Sequence, residues 1–296
     1  MLRVDPMVAD RGIGETAVVE AVPAALVDLF GLLTALGDPV TLLLVVAAGY
    51  LLADHLGVSR PRMATAFALA LGAFALTLAL KHAFALPRPP GAATDGYGFP
   101  SGHALGATVV YGGLAATFDG YGHDRIRLPV VAGVLILVVA LSRVVIGVHY
   151  LVDVVAGIAV GVGYLAAALR VGPGWLPDRV GAADASRVFA LAVGVGLTAL
   201  AVAVVRDTVV AVAAAAGGWI GWRLTADRIV AATGSTRQLV ASLAVLPVVA
   251  VAVGVVLDGP VSLPVAAGVA STLVALLLAL PGLSASVVEN GAVSDR

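Results

Sequence analysis

The segment Ser142-Arg143-Val144-Val145-Ile146-Gly147-Val148-His149-Tyr150-Leu151-Val152-Asp153 sets an arginine, a histidine and an aspartate into sequence otherwise rich in Val, Ile, Leu and Gly. Ionisable groups are costly to hold in membrane-type sequence, so these three are candidates for function. His149 and Asp153 are four residues apart, which places both on one face of a helix and within hydrogen-bonding reach. An Asp that holds one ring nitrogen of a His leaves the other nitrogen free as nucleophile or base. Arg143 is further away, so we expect a break at Gly147, with Arg143 ending one helix and His149 beginning the next.

The composition of the whole chain is that of a membrane protein. Of its 296 residues, 60% are hydrophobic and 12% are charged, and the mean hydropathy is +1.06. In a soluble domain about a quarter of the residues are charged. The net charge of -1 and the lack of a basic tract give no support for nucleic-acid binding. The sequence contains no cysteine, which excludes disulfides and thiolate metal sites.

Apolar segments predict the fold class, an all-α polytopic membrane protein with about nine or ten transmembrane helices. A span must cover roughly 30 Å of hydrocarbon. Nine segments meet this need, at about 39–55, 63–86, 102–118, 128–146, 148–170, 187–205, 208–222, 239–257 and 261–280. Residues 17–36 are also apolar but contain Glu20, Pro23 and Asp28, so this segment is either a poor first span or a helix at the interface.

The chain divides into a core at 17–170, a linker rich in Gly and Pro at 171–186, and additional transmembrane helices of unassigned role at 187–280. Most arginines outside the motifs fall in alternate connections between spans, beginning with Arg60 and Arg62. By the positive-inside rule these connections are cytoplasmic. We therefore expect a multi-pass protein of the cell membrane whose motif-bearing ends face outward.

Two further polar clusters lie at the outward ends of spans. Lys81, the only lysine in the chain, is followed by Arg88, and the prolines around Arg88 end the helix. The next span opens with Pro-Ser-Gly-His, in which Ser101 occupies a good N-cap position. A helix start offers free backbone N–H groups, and Gly102 lets an anion approach them closely.

Together the three clusters place two histidines, one lysine, two arginines and a helix N-terminus at one membrane face. This set of groups suits a tetrahedral oxyanion, because charged donors make strong hydrogen bonds to phosphate oxygens. No cluster of Asp and Glu accompanies the motifs, as a magnesium site would require.

The pattern Lys-x6-Arg-Pro, Pro-Ser-Gly-His and Ser-Arg-x5-His-x3-Asp resembles the three-part signature of the type 2 phosphatidic acid phosphatase family, which shares its site with vanadium haloperoxidases and glucose-6-phosphatase. All eleven signature identities are present in order: Lys81, Arg88, Pro89, Pro100, Ser101, Gly102, His103, Ser142, Arg143, His149 and Asp153. The resemblance implies a six-helix phosphatase core over about 17–170. The region 187–280 has no counterpart in that minimal core.

The resemblance also implies a role for each site residue in a phosphatase that needs no metal or other cofactor. His149 would attack phosphorus and form a phosphohistidine while Asp153 orients its ring. His103 would protonate the leaving oxygen and then activate water. The non-bridging oxygens would be bound by the remaining signature residues, which are Lys81, Arg88, Ser101, Gly102 and Arg143.

A site at headgroup level favours an amphiphilic substrate, either a lipid phosphate or a polyprenyl diphosphate, whose chain stays in the bilayer. The expected partners are therefore membrane lipid and a phosphorylated amphiphile, with no nucleic acid, and the oligomeric state is left open. A soluble sugar phosphate is one alternative, as for glucose-6-phosphatase. A non-catalytic phosphate binder or transporter is another, although the presence of His103 and His149 favours turnover. A haloperoxidase would use the same pocket, but the apolar spans argue against it.

Overall fold

The computed structural model describes residues 11–13, 19–117, 124–175, 177–231 and 236–294, and the elements within these ranges are all helical. Ten α-helices follow one another: α1 (Ala24–Leu33), α2 (Pro39–Leu51), α3 (Arg60–Phe84), α4 (Gly102–Thr117), α5 (Asp124–Val145), α6 (Leu151–Val171), α7 (Ala182–Val202), α8 (Arg206–Ala231), α9 (Thr236–Asp258) and α10 (Leu263–Ser294). The predicted all-α class is confirmed. The predicted linker 171–186 includes the first turn of α7, and the predicted core boundary at 17 lies outside the described residues.

Six helices are long and apolar enough to cross a membrane within the described ranges, namely α3, α5, α6, α7, α8 and α10. The chain is therefore a multi-pass membrane protein. The sequence count of nine or ten spans is higher because it also includes shorter segments. Helix α4 has 16 residues, and the apolar helical stretch found in α9 is Pro247–Val256.

Helices α1 and α2 form a pair that is bent by 50° and apolar enough to cross the membrane as a unit. A short 3-10 helix, Thr34–Gly37, lies at the bend, and the Asp38 side chain caps α2 by accepting from the Val40 N–H at 2.9 Å. Val19, just before α1, lies against Gly147, whereas α2 ends near the opposite membrane face. The pair thus crosses the membrane as one broken span. Its first half, α1, lies in the segment 17–36, which the sequence alone left as either a poor first span or a helix at the interface.

Helix α3 is the centre of the bundle, because it contacts α2, α4, α7 and α8 and is buried along most of its length. Helix α6 packs closely on α4 through two glycines. A methyl group at Gly157 would meet the carbonyl oxygen of Ser101, and one at Gly161 would meet Thr108. Small residues at such positions let membrane helices approach closely. This packing brings the start of α6 beside the start of α4, where the Ser101 N–H donates to the carbonyl of Asp153 at 2.9 Å.

The C-terminal helices α7–α10 pack on α2 and α3. Helix α8 approaches α10 through Gly217 and Gly221, where an added methyl group would collide with the backbone of α10. The Tyr50 hydroxyl of α2 donates to the carbonyl of Leu278 in α10 at 2.5 Å. The C-terminal helices therefore share a continuous interface with the part of the chain that carries the motifs.

Candidate active site

One cavity of about 180 Å³, open on one side, gathers residues from all three sequence motifs. These residues come from α3, the 85–101 connection, α4, α5 and the 146–150 turn, all at the same end of the bundle. Six predicted site residues line the cavity: Lys81, Arg88, Gly102, His103, Arg143 and His149. The other two, Ser101 and Asp153, are fully buried directly behind it. We call this space the phosphate cavity.

The turn between α5 and α6 positions two of these residues. Gly147 has a φ of +71°, a conformation that glycine adopts without strain, so the predicted helix break at this position is confirmed. The carbonyl of Arg143 accepts the N–H groups of both Val148 and His149 at 3.2 Å. His149 thus lies two residues before α6 rather than inside it, because the turn, and not a helical face, brings it towards Asp153.

The imidazole of His149 contacts a carboxylate on one side and a guanidinium on the other. Its Nδ1 is 3.5 Å from Oδ2 of Asp153, and its Nε2 is 3.2 Å from Nη1 of Arg88. A guanidinium can only donate, so Nε2 is the acceptor and the ring proton is on Nδ1, facing the carboxylate. This tautomer leaves the lone pair of Nε2 directed into the cavity.

Burial lowers the pKa of His149 to about 4. The carboxylate of Asp153 raises this pKa and therefore opposes the shift, while the nearby cations Arg88, Arg143 and Lys81 lower it further. The imidazole is consequently neutral around pH 7. A neutral imidazole is the form that can act as a nucleophile.

Three cations face the phosphate cavity, and each is anchored by neutral oxygens. Lys81 Nζ donates to the carbonyl of Tyr97 at 3.0 Å, and Arg88 Nε donates to the carbonyl of Asp95 at 3.1 Å. Arg143 Nη1 donates to the Thr34 hydroxyl at 2.7 Å. Because a lysine has three donor hydrogens and an arginine five, these anchors leave donors for an anion.

The charge of the cavity suits an anion and not a cation. Burial lowers the pKa of Arg88, and nearby carboxylates oppose this shift, so its guanidinium stays charged. No group of three or more His, Asp or Glu side chains that could hold a metal occurs in the described ranges. The concentration of positive charge at a partly enclosed site instead attracts a phosphate.

The Ser-Gly start of α4 has a packing role beside the predicted one. A methyl group at Gly102 would lie 2.7 Å from the Thr77 side chain, so glycine is needed for α4 to start against α3. The Ser101 hydroxyl is buried and has no hydrogen-bond partner within the described part of the chain. An unsatisfied buried hydroxyl is unfavourable, and a bound phosphate oxygen would relieve that cost.

Arg11 is a site residue that the motifs did not reveal. Its Nε is 2.9 Å from Oδ1 of Asp153, and its Nη2 donates to the carbonyl of Pro87 at 2.8 Å. The guanidinium also lies 5.1 Å from the ring centre of Tyr150. No spacing relates Arg11 to the motifs, because 70 residues separate it from Lys81. Thr34, the partner of Arg143, was missed for the same reason.

The fold and cavity define a multi-pass helical membrane protein with an anion site built around two histidines. Residues 39–176, which contain all eight predicted site residues, match the family model described as PAP2 superfamily. This match supports a phosphatase that acts on phosphate esters. Comparison with curated proteins and with solved structures gave no match.

Proposed function

We propose that the protein hydrolyses a lipid phosphate or a polyprenyl diphosphate at the outer face of the cell membrane, through a phosphohistidine on His149 and without a metal. The observation that carries this proposal is the convergence of two histidines and three cations on one cavity. The outward orientation rests on the positive-inside rule, since arginines concentrate at the opposite ends of the spans.

In the first step the lone pair of His149 Nε2 attacks phosphorus, so that a P–N bond forms and the P–O bond to the leaving group breaks. His103, protonated once the phosphate dianion is bound beside it, gives its proton to the leaving oxygen. Arg88, whose Nη1 lies 3.2 Å from Nε2, shifts its donors to the phosphate oxygens and frees the nitrogen. Asp153 stabilises the positive charge that appears on the imidazole.

In the second step the now neutral His103 takes a proton from water. The water oxygen attacks phosphorus, the P–N bond breaks, and inorganic phosphate leaves with His149 restored to its neutral form. Lys81, Arg88 and Arg143 bind the non-bridging oxygens in both steps, and their charges stabilise the additional negative charge of each transition state.

The walls of the phosphate cavity favour an amphiphile over a soluble sugar phosphate. Its polar end contains the cations, whereas its deeper part is lined by Leu42, Ala70 and Val110. Sugar hydroxyls placed against these apolar walls would lose hydrogen bonds to water without replacement. A hydrocarbon group gains free energy in the same place.

The test is phosphate release by the purified protein from phosphatidate, a polyprenyl diphosphate and a sugar phosphate. We expect release from one of the two lipid classes, and we expect the His149→Ala variant to lose it while remaining folded. His55→Ala is the matched control, because His55 is exposed at the opposite end of the bundle. Turnover by His149→Ala would remove the nucleophile assignment, and a preference for the sugar phosphate would overturn the lipid proposal.

A second experiment examines the metal-free step. Orthovanadate resembles the five-coordinate phosphorus of the transition state, so it should inhibit competitively. A chelator should leave the rate unchanged. Loss of activity with the chelator and its recovery with magnesium would overturn the proposed mechanism. A protein that binds phosphate but releases none from any substrate would instead be a binder or transporter.

A further inference from the structure

A second cavity adjoins the phosphate cavity, on the side of the C-terminal helices. It lies between α2 and α3 on one side and α8, α9 and α10 on the other, and its walls include Phe67, Leu71, Ala214, Val253, Ala270 and Leu277. Pro39, Leu43 and Phe74 line both cavities. The two spaces therefore share a wall made of three side chains. We call the second space the tail cavity.

The chemistry of the tail cavity excludes a polar occupant. Every residue that lines it is Pro, Val, Leu, Ala or Phe, and its cavity volume is about 80 Å³, which is room for part of a hydrocarbon chain. Water would find no hydrogen-bond partners on such walls, so an apolar cavity of this kind stays dry and accepts an apolar guest. A hydrocarbon chain matches it because burial of methylene groups is favourable.

The depth of the tail cavity fits a chain that begins at the phosphate cavity. Phe74 and Phe67 lie seven and fourteen residues before Lys81 on α3. At 1.5 Å of rise per residue, the tail cavity extends from about 10 to about 21 Å below the level of Lys81. A phosphate bound at Lys81 thus has apolar space beneath it within the hydrocarbon region of the bilayer.

We propose that the tail cavity binds the hydrocarbon chain of the substrate whose phosphate is bound beside His149. This assignment rests on the proposed function and gives α8, α9 and α10 a role in substrate selection. The chain would pass the shared wall at Phe74 and lie between the phosphatase core and the C-terminal helices. The alternative path, sideways into the bilayer past α5 and α6, would leave the tail cavity unused.

A substitution that fills the tail cavity distinguishes between these two paths for the hydrocarbon chain. Ala270 lines the tail cavity and not the phosphate cavity, so Ala270→Phe places a ring where the chain would lie. Its matched control is Val269→Phe on the same helix, because Val269 is 40% exposed on the outer surface. The substrates are a sixteen-carbon alkyl phosphate and para-nitrophenyl phosphate, which has no chain.

We expect Ala270→Phe to lower kcat/KM for the alkyl phosphate by about tenfold, the size of effect that a few displaced methylene groups produce, and to change that for para-nitrophenyl phosphate less than about twofold. Val269→Phe should change neither value. Equal losses on both substrates, or no loss on either, would overturn the tail-cavity proposal. If the unmodified protein released phosphate from neither substrate, the proposed function would fail instead.

A second measurement does not depend on turnover or on the folding of a variant. A non-hydrolysable alkyl phosphonate that carries a diazirine in mid-chain is bound to the unmodified protein, irradiated, and located by mass spectrometry. We expect the labels on α8, α9 and α10, at positions such as Val253 and Leu277. Labels confined to exposed faces of α5 and α6, such as Leu137 and Val155, would show that the chain leaves sideways and would overturn the proposal.

Discussion

The two ends of helix α3 both carry a cation, yet the two cations differ in burial and in what they bind. At one end Arg62 is only 2% exposed, and its guanidinium donates to the carbonyls of Thr117, Pro177 and Asp178. At the other end Lys81 faces the phosphate cavity and donates to a single carbonyl. The first cation is surrounded by protein acceptors, and the second keeps donors for a ligand.

This difference shows that burial of a cation does not by itself indicate function. The carbonyls around Arg62 belong to the end of α4 and to the 172–181 connection, so its charge joins three parts of the chain. These contacts satisfy the two terminal nitrogens of a buried arginine, as stability requires. In the phosphate cavity Lys81 donates to one carbonyl and Arg88 to two, so both cations keep donors for an anion.

The largest expected difference between the two ends of α3 is the side of the membrane that each one faces. Because the chain has no cysteine, single cysteines can be introduced without further changes. Thr94 is exposed beside the phosphate cavity, and His55 is exposed at the Arg62 end. In intact cells a membrane-impermeant maleimide should label Thr94→Cys and leave His55→Cys unlabelled until the membrane is permeabilised. The reverse pattern would place the phosphate cavity on the cytoplasmic side.

At the cavity end, Arg143→Gln should lower kcat/KM by about 10²- to 10³-fold, as loss of one donor to a developing oxyanion does. The substitution loses the bond to the Thr34 hydroxyl but also removes one of three cations from the same cavity, and the relief of repulsion offsets the loss, so the thermal midpoint should change little. The measurement is steady-state kinetics combined with thermal unfolding in detergent. A variant with normal kinetics would show that Arg143 is a structural brace like Arg62.

At the opposite end, Arg62→Gln should lower the free energy of unfolding by about 3 kcal/mol, because buried carbonyls lose a charged donor. The kcat/KM of the molecules that remain folded should stay within about threefold, since no part of the phosphate cavity changes. Denaturant unfolding gives the first quantity, and kinetics normalised to folded protein give the second. A large kinetic loss without destabilisation would contradict the structural role of Arg62.

The same contrast explains how much of the molecule could be predicted. The residues of the anion site could be predicted because ionisable residues stand out from apolar sequence and because their spacing forms a recognisable signature. The helix break at Gly147 was also predicted, since glycine tolerates positive φ. The role of Arg62 was not, because an arginine at the end of a span has the same sequence signal whether it meets water or backbone carbonyls.

Contacts between distant segments form the rest of what the sequence did not reveal. The Gly157 and Gly161 pair has the spacing of a close helix contact, and this signal could have predicted that α6 packs on α4. The bend between α1 and α2 depends on tertiary packing, so the fate of 17–36 could not be decided from composition. Arg11 and Thr34 reach the site from elements with no motif of their own.

The smallest expected effect on activity is that of replacing Arg11. This arginine is bonded to protein groups, like Arg62, but it lies beside the phosphate cavity, like Lys81. It pairs with the carboxylate of Asp153 and with the carbonyl of Pro87, so it orders the site without lining the cavity. Arg11→Ala should lower kcat about threefold and leave KM unchanged, because Asp153 loses an orienting partner while phosphate binding is intact. Asp153 keeps the N–H of Tyr150 at 3.0 Å, which limits the loss.

Arg11→Lys is the matched variant for this prediction, since it retains the charge beside Asp153 without the fork of donors, and it should restore part of kcat. The two variants separate orientation from charge. If Arg11→Ala instead raised kcat, the guanidinium would be drawing the carboxylate away from His149, whose Nδ1 is 3.5 Å from Asp153. A change in KM alone would mean that Arg11 acts on phosphate binding. Its role would then be that of the cavity cations and not the structural role of Arg62.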